Sequence, residues 1–399
     1  MQYRRRALLP VGLMCLLFAV ELSAKEIVKM GNGSGLPFSP AVKAGNFVYV
    51  SGALATDEKG RLVSGTIQEQ TKRVLTRLAS VLKASGSRLE NAASVNVYLR
   101  NAADFEAMNE VYRGFWQRDP PTRTTVVTDL VFQDALIEIA MVAIRDGADR
   151  RVVHPAGWIK SPNYSYGIQS GDTLFLAGLV ARNMKENTIV TGEVGIQTKT
   201  ILDNAGEILK VAGMTHADVA SSRVFITDVS KFQDMNAAYR PFFSKDPPAR
   251  ATVRAVLMNP GYLVEITLLA IKSSDREAIN PLGADGKPAQ PSPNYSSGIR
   301  VGNRLYVAGM VGSTEANKGD MKAQTRESLN NIGRAVKAAG FDWSHAVEGI
   351  VYVTDVRKFP AMNEGYRETF TKDFPARTTV GIGIVIPDPL VEIMLTFVK

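Results

Sequence analysis

Two kinds of ionisable residue recur in this chain at one fixed interval. The recurring arginines are Arg123, Arg250 and Arg377, and the recurring glutamates are Glu138, Glu265 and Glu392, with successive copies 127 residues apart. A guanidinium and a carboxylate that repeat together can form a structural ion pair or can act jointly on a substrate. The residue pattern alone leaves both interpretations open.

Further residues keep the same spacing, and most of them are polar. They are Gln70, Gln197 and Gln324; Asn109, Asn236 and Asn363; Tyr112, Tyr239 and Tyr366; and Val97, Val224 and Val351, with Gly52, Gly178 and Gly309 close to the register. A repeat of this length is too long for a solenoid unit and matches the size of a self-sufficient domain. The sequence therefore predicts three domains of one kind.

The strand that closes each predicted unit is apolar on both faces. Glu138 shares one face with Ala140, Val142 and Ile144, and the residues between them are also apolar. Such a strand is normally covered on both sides, so we expect its glutamate to be desolvated in all three copies. Burial raises the pKa of a carboxyl group unless a cation lies nearby, and the repeated arginine is the natural candidate for that cation.

Strand geometry limits how the two residues can meet. If the two closing strands formed a simple hairpin near Pro260 and Gly261, Arg250 would oppose Lys272. Arg250 and Glu265 would then stand six residues, or roughly 20 Å, apart along the strands. Either these strands are not neighbours, or the arginine of one unit works with the glutamate of another unit. We favour the second alternative.

Each unit reads as a loop, a strand, a helix, a strand, a second helix and two closing strands. The predicted first strands are Phe47–Ser51, Thr173–Ala177 and Arg304–Ala308. The first helix of unit 1 has one apolar stripe, formed by Val74, Leu75, Leu78, Val81 and Leu82. Glycines are expected to end the three first helices, namely Gly86, Gly213 and Gly340.

The first 24 residues resemble a secretory signal peptide. Basic residues 4–6 precede the apolar run Ala7–Val20, and Ala24 lies at the expected cleavage site. An uncleaved anchor is the alternative, and the paired arginines leave the twin-arginine export route open. We expect a periplasmic or secreted protein. The predicted boundaries are 1–24 for the signal peptide, 25–146 and 147–272 for two units, 273–291 for a linker and 292–399 for the third unit.

Composition argues against several classes of function. Removal of residues 1–24 leaves 44 basic against 38 acidic side chains, a net charge of about +6 without a long run of like charges, so no nucleic-acid partner is expected. Cys15, the one cysteine, lies in the predicted signal peptide, so the mature protein would have no thiol. His154, His216 and His345 do not share a repeat position, and neither a metal-ligand spacing nor a phosphate-binding loop is present. We expect no cofactor.

The order of short motifs resembles the Rid family, the YjgF-like reactive intermediate deaminases of L-PSP type. Each unit has a Pro-Tyr-Ser-like loop, a Ser-Gly or Ala-Gly strand end, Gln-Thr, Asn-x-x-Tyr, Pro-x-Arg-x-Thr-Val and a closing Val/Ile-Glu-Ile, over about residues 26–399. The resemblance implies a chorismate-mutase-like α/β (α+β) unit of one sheet and two helices. The family forms homotrimers with substrate clefts between subunits, so three fused copies imply a pseudo-trimer within one chain.

The resemblance also implies roles for the repeated residues. Arg123, Arg250 and Arg377 match the arginine that binds the carboxylate of a 2-imino or enamino acid. Glu138, Glu265 and Glu392 match the glutamate that positions or activates the attacking water, which releases ammonia and a 2-keto acid. Asn109, Asn236 and Asn363 match an asparagine near the pocket. Thr125, Thr252 and Thr379 match a position whose backbone amide meets the substrate carboxylate.

The first unit departs from the other two at the loop and the strand end. Tyr164 and Tyr295 match the loop tyrosine of the family, whereas unit 1 has Phe38. The family's strand-end serine is matched by Ser51, whereas units 2 and 3 have Ala177 and Ala308. These differences predict three clefts that are not chemically identical.

We therefore expect a cofactor-independent enamine or imine deaminase acting on a small imino acid. A non-catalytic protein that binds small carboxylates is the alternative, because export separates this chain from the cytosolic enzymes that make reactive enamines. An RNA-cleaving activity ranks third. After cleavage of the signal we expect no stable membrane insertion, and we expect a monomer because the three units can close a ring by themselves.

Overall fold

The computed structural model describes residues 25–30, 35–287 and 290–399, and it contains three copies of one α+β unit. The predicted signal peptide, with Cys15 and Ala24, lies outside the described residues. In the part of the chain that is described, no helix is long and apolar enough to cross a membrane.

Unit 1 is one mixed sheet with two helices packed on it. Its main strands, in spatial order, are Glu26–Val28, Ala41–Ala44, Phe47–Ala53, Ile137–Ile144, Ala92–Leu99 and Thr122–Val127. Its helices are Ile67–Ala84 and Phe105–Phe115, and the short strand Asp129–Leu130 leaves the unit. Thr66 caps the first helix, because its hydroxyl accepts from the Glu69 amide at 3.2 Å while the Glu69 carboxylate accepts from the Thr66 amide at 2.7 Å.

Unit 2 repeats this plan, but the strand that is continuous in unit 1 as Phe47–Ala53 is divided here into two pieces. Its strands are Arg151–Val153, Gly167–Ser170, Thr173–Leu176, Leu179–Val180, Arg182–Asn183, Thr188–Ile189, Val219–Ile226, Ala249–Arg254 and Val264–Ile271. Its helices are Val194–Val211 and Phe232–Tyr239.

Unit 3 completes the set. Its strands are Arg276–Ile279, Gly298–Val301, Arg304–Val311, Ala346–Val353, Ala376–Gly381, Gly383–Ile384 and Val391–Val398. Its helices are Met321–Ala338 and Phe359–Thr369. The first of these strands lies inside the segment 273–291 that the sequence assigned to a linker, and it pairs with Gly298–Val301. That part of the segment therefore belongs to the third sheet.

The repeated glutamines fasten the start of each closing strand. The side-chain oxygen of Gln70 accepts from the amide of Leu136, two residues before Glu138, at 2.9 Å. Gln197 and Gln324 make the same contact with the amides of Leu263 and Leu390, at 2.9 and 2.7 Å. A helix side chain thus sets the position of the strand that carries the glutamate.

Strand pairing joins the three units into a ring. Asp129–Leu130 of unit 1 pairs with Ala376–Gly381 of unit 3, and Gly383–Ile384 of unit 3 pairs with Ala249–Arg254 of unit 2. The ring closes between units 2 and 1, where Val127 and Val256 form an isolated bridge. The three units form a pseudo-trimer within one polypeptide.

Each seam between units also has a cation bound to a backbone carbonyl. The acceptors are the carbonyls of Asp119, Asp246 and Asp373, all in left-handed conformation with φ of 49°, 47° and 47°. Their donors come from the next unit around the ring and are Arg150 at 2.8 Å, Arg276 at 2.9 Å and Lys25 at 2.7 Å. The residues just before or within each unit's first strand therefore hold that unit to the preceding one.

The three sheets meet around a central cavity of about 80 Å³. At one level the units contribute Asn96, Arg223 and Ile350, and at the next level they contribute Ser94, Ser221 and Glu348. Arg223 donates to Asn96 across the axis at 2.8 Å. Burial raises the pKa of Glu348, and the positive charge of Arg223 opposes that rise.

The three fused units place different residues on the axis. In a homotrimer every residue on the axis occurs three times, so an arginine there would face two more arginines and a glutamate two more glutamates. Here one arginine and one glutamate serve the whole ring, which avoids the repulsion between like charges at short range.

We predict that Arg223→Met lowers the free energy of unfolding of residues 25–399 by roughly 1–3 kcal/mol, because Glu348 and Asn96 lose their partner in a buried site. Adding Glu348→Ser, which installs the residue that units 1 and 2 carry, should restore most of the loss. Urea unfolding at pH 7 measures both effects. Equal stability of the Arg223→Met variant and the parent would contradict the proposed role of the axial charges.

Candidate active site at the seams

The repeated arginine of each unit faces the repeated glutamate of the next unit around the ring. The first seam site joins Arg123 to Glu265, the second joins Arg250 to Glu392, and the third joins Arg377 to Glu138, and in each case the arginine opposes the rise in the pKa of that glutamate. Within one sheet the two strands are not neighbours either, since Ala92–Leu99 lies between Ile137–Ile144 and Thr122–Val127. Both alternatives raised by the sequence therefore hold: the two strands are not neighbours, and the arginine of one unit faces the glutamate of another.

Each guanidinium is buried between aromatic rings. Arg123, Arg250 and Arg377 are 5%, 4% and 3% exposed. Their Cζ atoms lie 4.8, 4.7 and 4.8 Å from the ring centroids of Tyr112, Tyr239 and Tyr366. The same atoms lie 5.5, 6.0 and 5.6 Å from the ring centroids of Phe105, Phe232 and Phe359. Cation–π attraction compensates part of the cost of burying the charge.

Hydrogen bonds orient two of the three guanidinium groups from their own unit. Arg250 donates to Asn236, and Arg377 donates to Asn363, each at 2.7 Å. In the first seam site both polar atoms of Asn109 are buried without a hydrogen-bond partner in the described structure. Burial lowers the pKa of the three arginines, for Arg377 to about 10.

Each glutamate is buried on the closing strand, as the two-faced apolar pattern predicted. Glu138, Glu265 and Glu392 are 3%, 5% and 5% exposed, and desolvation raises the pKa of each to about 8 from an ordinary value of 4.5. The backbone of Thr379 opposes the rise at Glu138, and the backbone of Thr125 does so at Glu265. Burial outweighs these contacts, so each carboxyl titrates near neutral pH.

The strand-end glycines make room for these carboxyl groups. A Cβ atom on Gly52, Gly178 or Gly309 would lie only 1.9, 2.0 or 1.8 Å from Oε1 of Glu138, Glu265 or Glu392. Any larger residue would displace the carboxylate. The glycines therefore recur with the glutamates for a steric reason.

The opening loop of the next unit brings an aromatic residue near each arginine. Phe38 lies 5.4 Å from the guanidinium of Arg377, and Tyr164 and Tyr295 influence the pKa of Arg123 and Arg250 from the same position. Tyr164 is half-buried, whereas Tyr295 is 38% exposed.

Ser51 is committed to the backbone at the third seam site. Its hydroxyl donates to the Ser39 carbonyl at 2.6 Å and accepts from the Arg377 amide at 2.8 Å. Units 2 and 3 have alanine there, and in the first seam site the Gly178 amide instead donates to the Arg123 carbonyl at 3.0 Å. The serine hydroxyl thus supports the seam and does not point a free donor at a ligand.

The facing arginine and glutamate do not form an ion pair. Among the described residues, none of the three arginines has a carboxylate oxygen within 4.0 Å. Within the described ranges, five buried polar atoms at the seams have no hydrogen-bond partner: Nη1 of Arg123 and Arg250, and Oγ1 of Thr125, Thr252 and Thr379. Buried polar groups are nearly always paired, so these atoms are available to a polar ligand.

Sequence reasoning missed the three phenylalanines that cover the arginines, although Phe105, Phe232 and Phe359 keep the 127-residue spacing that would have revealed them. The histidines lie away from the seam sites in local contacts: His154 with the Trp158 carbonyl and His216 with the Leu202 carbonyl. Across the described ranges, no group of three or more His, Cys, Asp or Glu side chains could hold a metal ion.

The repeat and the seam geometry define a three-unit ring of one α+β domain, and comparison with known proteins identifies the domain. Residues 33–145, 159–272 and 287–398 each match the family described as Endoribonuclease L-PSP, so the chain belongs to this family, which includes the YjgF and Rid proteins.

Named relatives and one solved structure resemble the chain over different lengths. The 3-aminoacrylate deaminase RutC of Acinetobacter baylyi is 42% identical over 108 residues, which cover 27% of this chain and 86% of the relative. The 2-iminobutanoate/2-iminopropanoate deaminase of Dermatophagoides farinae is 33% identical over 109 residues, covering 27% of this chain and 85% of the relative. A chorismatase crystal structure covers 77% of this chain and 93% of its own at 15% identity and a TM-score of 0.51, a likeness of fold alone.

We predict that the protein becomes less stable as the pH rises from about 5 to about 8. The folded state keeps protons on Glu138, Glu265 and Glu392 up to about pH 8, whereas unfolded carboxyl groups release them near 4.5. Each carboxyl can therefore lower the free energy of unfolding by at most about 1.4 kcal/mol per pH unit in this window.

Thermal unfolding of residues 25–399 between pH 5 and pH 9 measures this effect. The triple variant Glu138→Gln, Glu265→Gln, Glu392→Gln should show a flatter profile, because its neutral amides do not titrate. An unchanged slope in the triple variant would exclude these glutamates as the cause.

Proposed function

We propose that this protein is a cofactor-independent hydrolase that converts small 2-imino or 2-enamino acids into 2-keto acids and ammonia at the three seam sites. The observation that carries the proposal is the buried arginine without an ion pair, facing a glutamate of raised pKa from the next unit. Relatives named as imine and enamine deaminases support the same class of reaction.

The arginine supplies the binding step. Its planar guanidinium can donate two parallel hydrogen bonds to a carboxylate. At the first and second seam sites a buried Nη1 donor lacks a partner in the described chain. Two aromatic rings, with centroids 5.5 and 4.8 Å away, help to keep water away from the guanidinium of Arg123. A small anionic substrate would thus be held with its C2 atom on the side of the glutamate.

The glutamate supplies the proton transfers. As a carboxylate it takes a proton from water while the water oxygen forms a bond to C2 of the imine and the C=N π electrons move to nitrogen. The resulting acid then returns the proton to nitrogen. The carboxylate then takes the proton of the hydroxyl group and passes it to the NH₂ group, and as the C=O bond forms the C–N bond breaks and ammonia leaves. A base with a pKa near 8 suits transfers in both directions near neutral pH.

Two features favour a second candidate, a binding protein for small carboxylates. Unit 1 places Phe38, which has no hydroxyl, over Arg377, and the predicted export separates the chain from sources of reactive enamines. Such a protein would bind a 2-keto acid at the arginines without turning over imines. We propose a small-molecule partner and no nucleic-acid partner in either case.

Turnover tests the first proposal against the second. With imines generated in place by an amino acid oxidase, residues 25–399 should form 2-keto acid and ammonia faster than the spontaneous rate. The triple Glu→Gln variant should lose at least about 100-fold in kcat, because general-base catalysis is removed while the arginines remain. kcat/KM should rise with pH toward about 8, since the carboxylate is the active form.

A matched control is Glu207→Gln, an exposed glutamate on the helix Val194–Val211, which should keep full activity. Turnover at the spontaneous rate together with measurable 2-keto acid binding would favour the binding protein. Cleavage of RNA that persists in the triple variant would favour an activity outside these sites.

We also propose that the chain is exported, cleaved after Ala24 and monomeric. The first described strand begins at Glu26, and Lys25, the first residue after the predicted cleavage site, contacts unit 3. We expect the protein purified from the periplasm or medium to begin at Lys25 and to show the mass of one chain by light scattering. A full-length N-terminus would contradict the cleavage, and a mass of three chains would contradict the monomer.

A further inference from the structure

A second set of arginines repeats beside the seam sites. Arg113, Arg240 and Arg367 directly follow Tyr112, Tyr239 and Tyr366, the tyrosines stacked on the inner arginines. We call Arg113, Arg240 and Arg367 the outer arginines. The catalytic proposal assigns them no role.

Each outer arginine reaches across its seam to the opening loop of the next unit. Arg113 donates to the side-chain oxygen of Asn163 at 3.4 Å, and Arg240 donates to that of Asn294 at 2.6 Å. In the third seam Pro37 stands at the asparagine position and has no side-chain acceptor. There Arg367 donates to the Gly35 carbonyl instead. The contact is therefore kept although the acceptor changes.

The opening loop is fastened on the other side of its aromatic residue as well. The amides of Ser165, Ser296 and Ser39 donate to the carbonyls of Pro121, Pro248 and Pro375 of the preceding unit, at 3.1, 3.3 and 3.0 Å. Tyr164 thus lies between two cross-seam contacts, one at Asn163 and one at Ser165. The same order holds for Tyr295 between Asn294 and Ser296.

The outer arginines also add positive charge near the inner guanidinium groups. Arg240 lowers the pKa of Arg250, and Arg367 lowers the pKa of Arg377, as expected for neighbouring like charges. A positive field at the opening of a site attracts anionic ligands.

We propose that Arg113, Arg240 and Arg367 are positioning residues that hold the loop aromatic of the next unit over the inner arginine, so that the site closes around a small carboxylate. The inference rests on the proposed function of the seam sites. It predicts an effect on substrate binding rather than on the chemical step, because no outer arginine faces the glutamate.

The second seam offers the sharpest test. In a chain carrying Glu138→Gln and Glu265→Gln, only the site of Arg250 and Glu392 keeps its base. Adding Arg240→Ala should raise KM about three- to tenfold, the net effect of one typical lost hydrogen bond, and leave kcat within about twofold. Asn294→Ala should give the same change, and the two substitutions together should cost no more than either alone. Arg240→Lys should recover part of the affinity.

Arg88→Ala in the same background is the matched control, since this exposed arginine of unit 1 pairs with Asp146 and should leave KM unchanged. Hydrogen–deuterium exchange gives a readout that does not need activity. The amide of Ser296 should exchange faster in Arg240→Ala than in the parent, while the amide of Ser165 should not change.

The outcomes separate this inference from the proposed function. If the parent chain shows no turnover, the deaminase proposal fails. The role of Arg240 is then decided by hydrogen–deuterium exchange and by the calorimetric affinity for 2-oxobutanoate, each compared between the parent and Arg240→Ala. The positioning role would be overturned if Arg240→Ala left the exchange of the Ser296 amide unchanged and also left ligand binding unchanged. Ligand binding is measured as KM if the parent chain turns over imines, and as 2-oxobutanoate affinity if it does not.

Discussion

A buried guanidinium and a buried carboxyl that face each other without bonding are the constraint on which this structure depends. Neither group could stay in the interior of one unit alone, because a single charge is strongly destabilised away from water. The ring solves this by placing the arginine of one unit between two aromatic rings and opposite the glutamate of the next. The positive charge of the arginine opposes the rise in the pKa of the facing carboxyl group. The donors and acceptors of both groups stay available to a third group.

Several repeated residues have a clear purpose once this constraint is stated. Gln70 and its copies fix the start of the strand that carries the glutamate, and Gly52 and its copies leave space for the carboxyl group. The Asp carbonyls and the cations at residues 150, 276 and 25 hold adjacent units together. The geometry of the seam sites therefore depends on ring closure, since a shift between units would separate the two halves of every seam site.

Fusion of the three units allows differences that a homotrimer cannot have. Arg223 and Glu348 occur once each around the axis, and the loop aromatic is Phe38 in one seam but Tyr164 and Tyr295 in the others. The third seam also lacks a covalent connection between its units, and it has the additional Ser51 contacts with the backbones of both units. Each difference is local, so the common plan of arginine, aromatic rings and glutamate survives in all three sites.

Much of this arrangement could be predicted from the residues, because a threefold internal repeat shows which polar positions are kept in register. The repeat, the buried closing strand with its glutamate, the glycine ends of the first helices and the pairing of arginine with glutamate between units all follow from spacing and hydrophobic pattern. The linker assignment was too long, since Arg276–Ile279 is a strand; an edge strand next to proline- and glycine-rich sequence has a weak pattern of its own.

The sequence by itself determined the number of units, their secondary structure and the identity of the charged residues, because these depend on local pattern and on periodicity. Only the tertiary structure decided which unit faces which, that Phe105 and its copies cover the arginines, that Ser51 serves the backbone, and that arginine and glutamate stay unbonded. Those features depend on contacts between residues more than a hundred positions apart. Such contacts arise from the packing of whole sheets, and no local pattern encodes them.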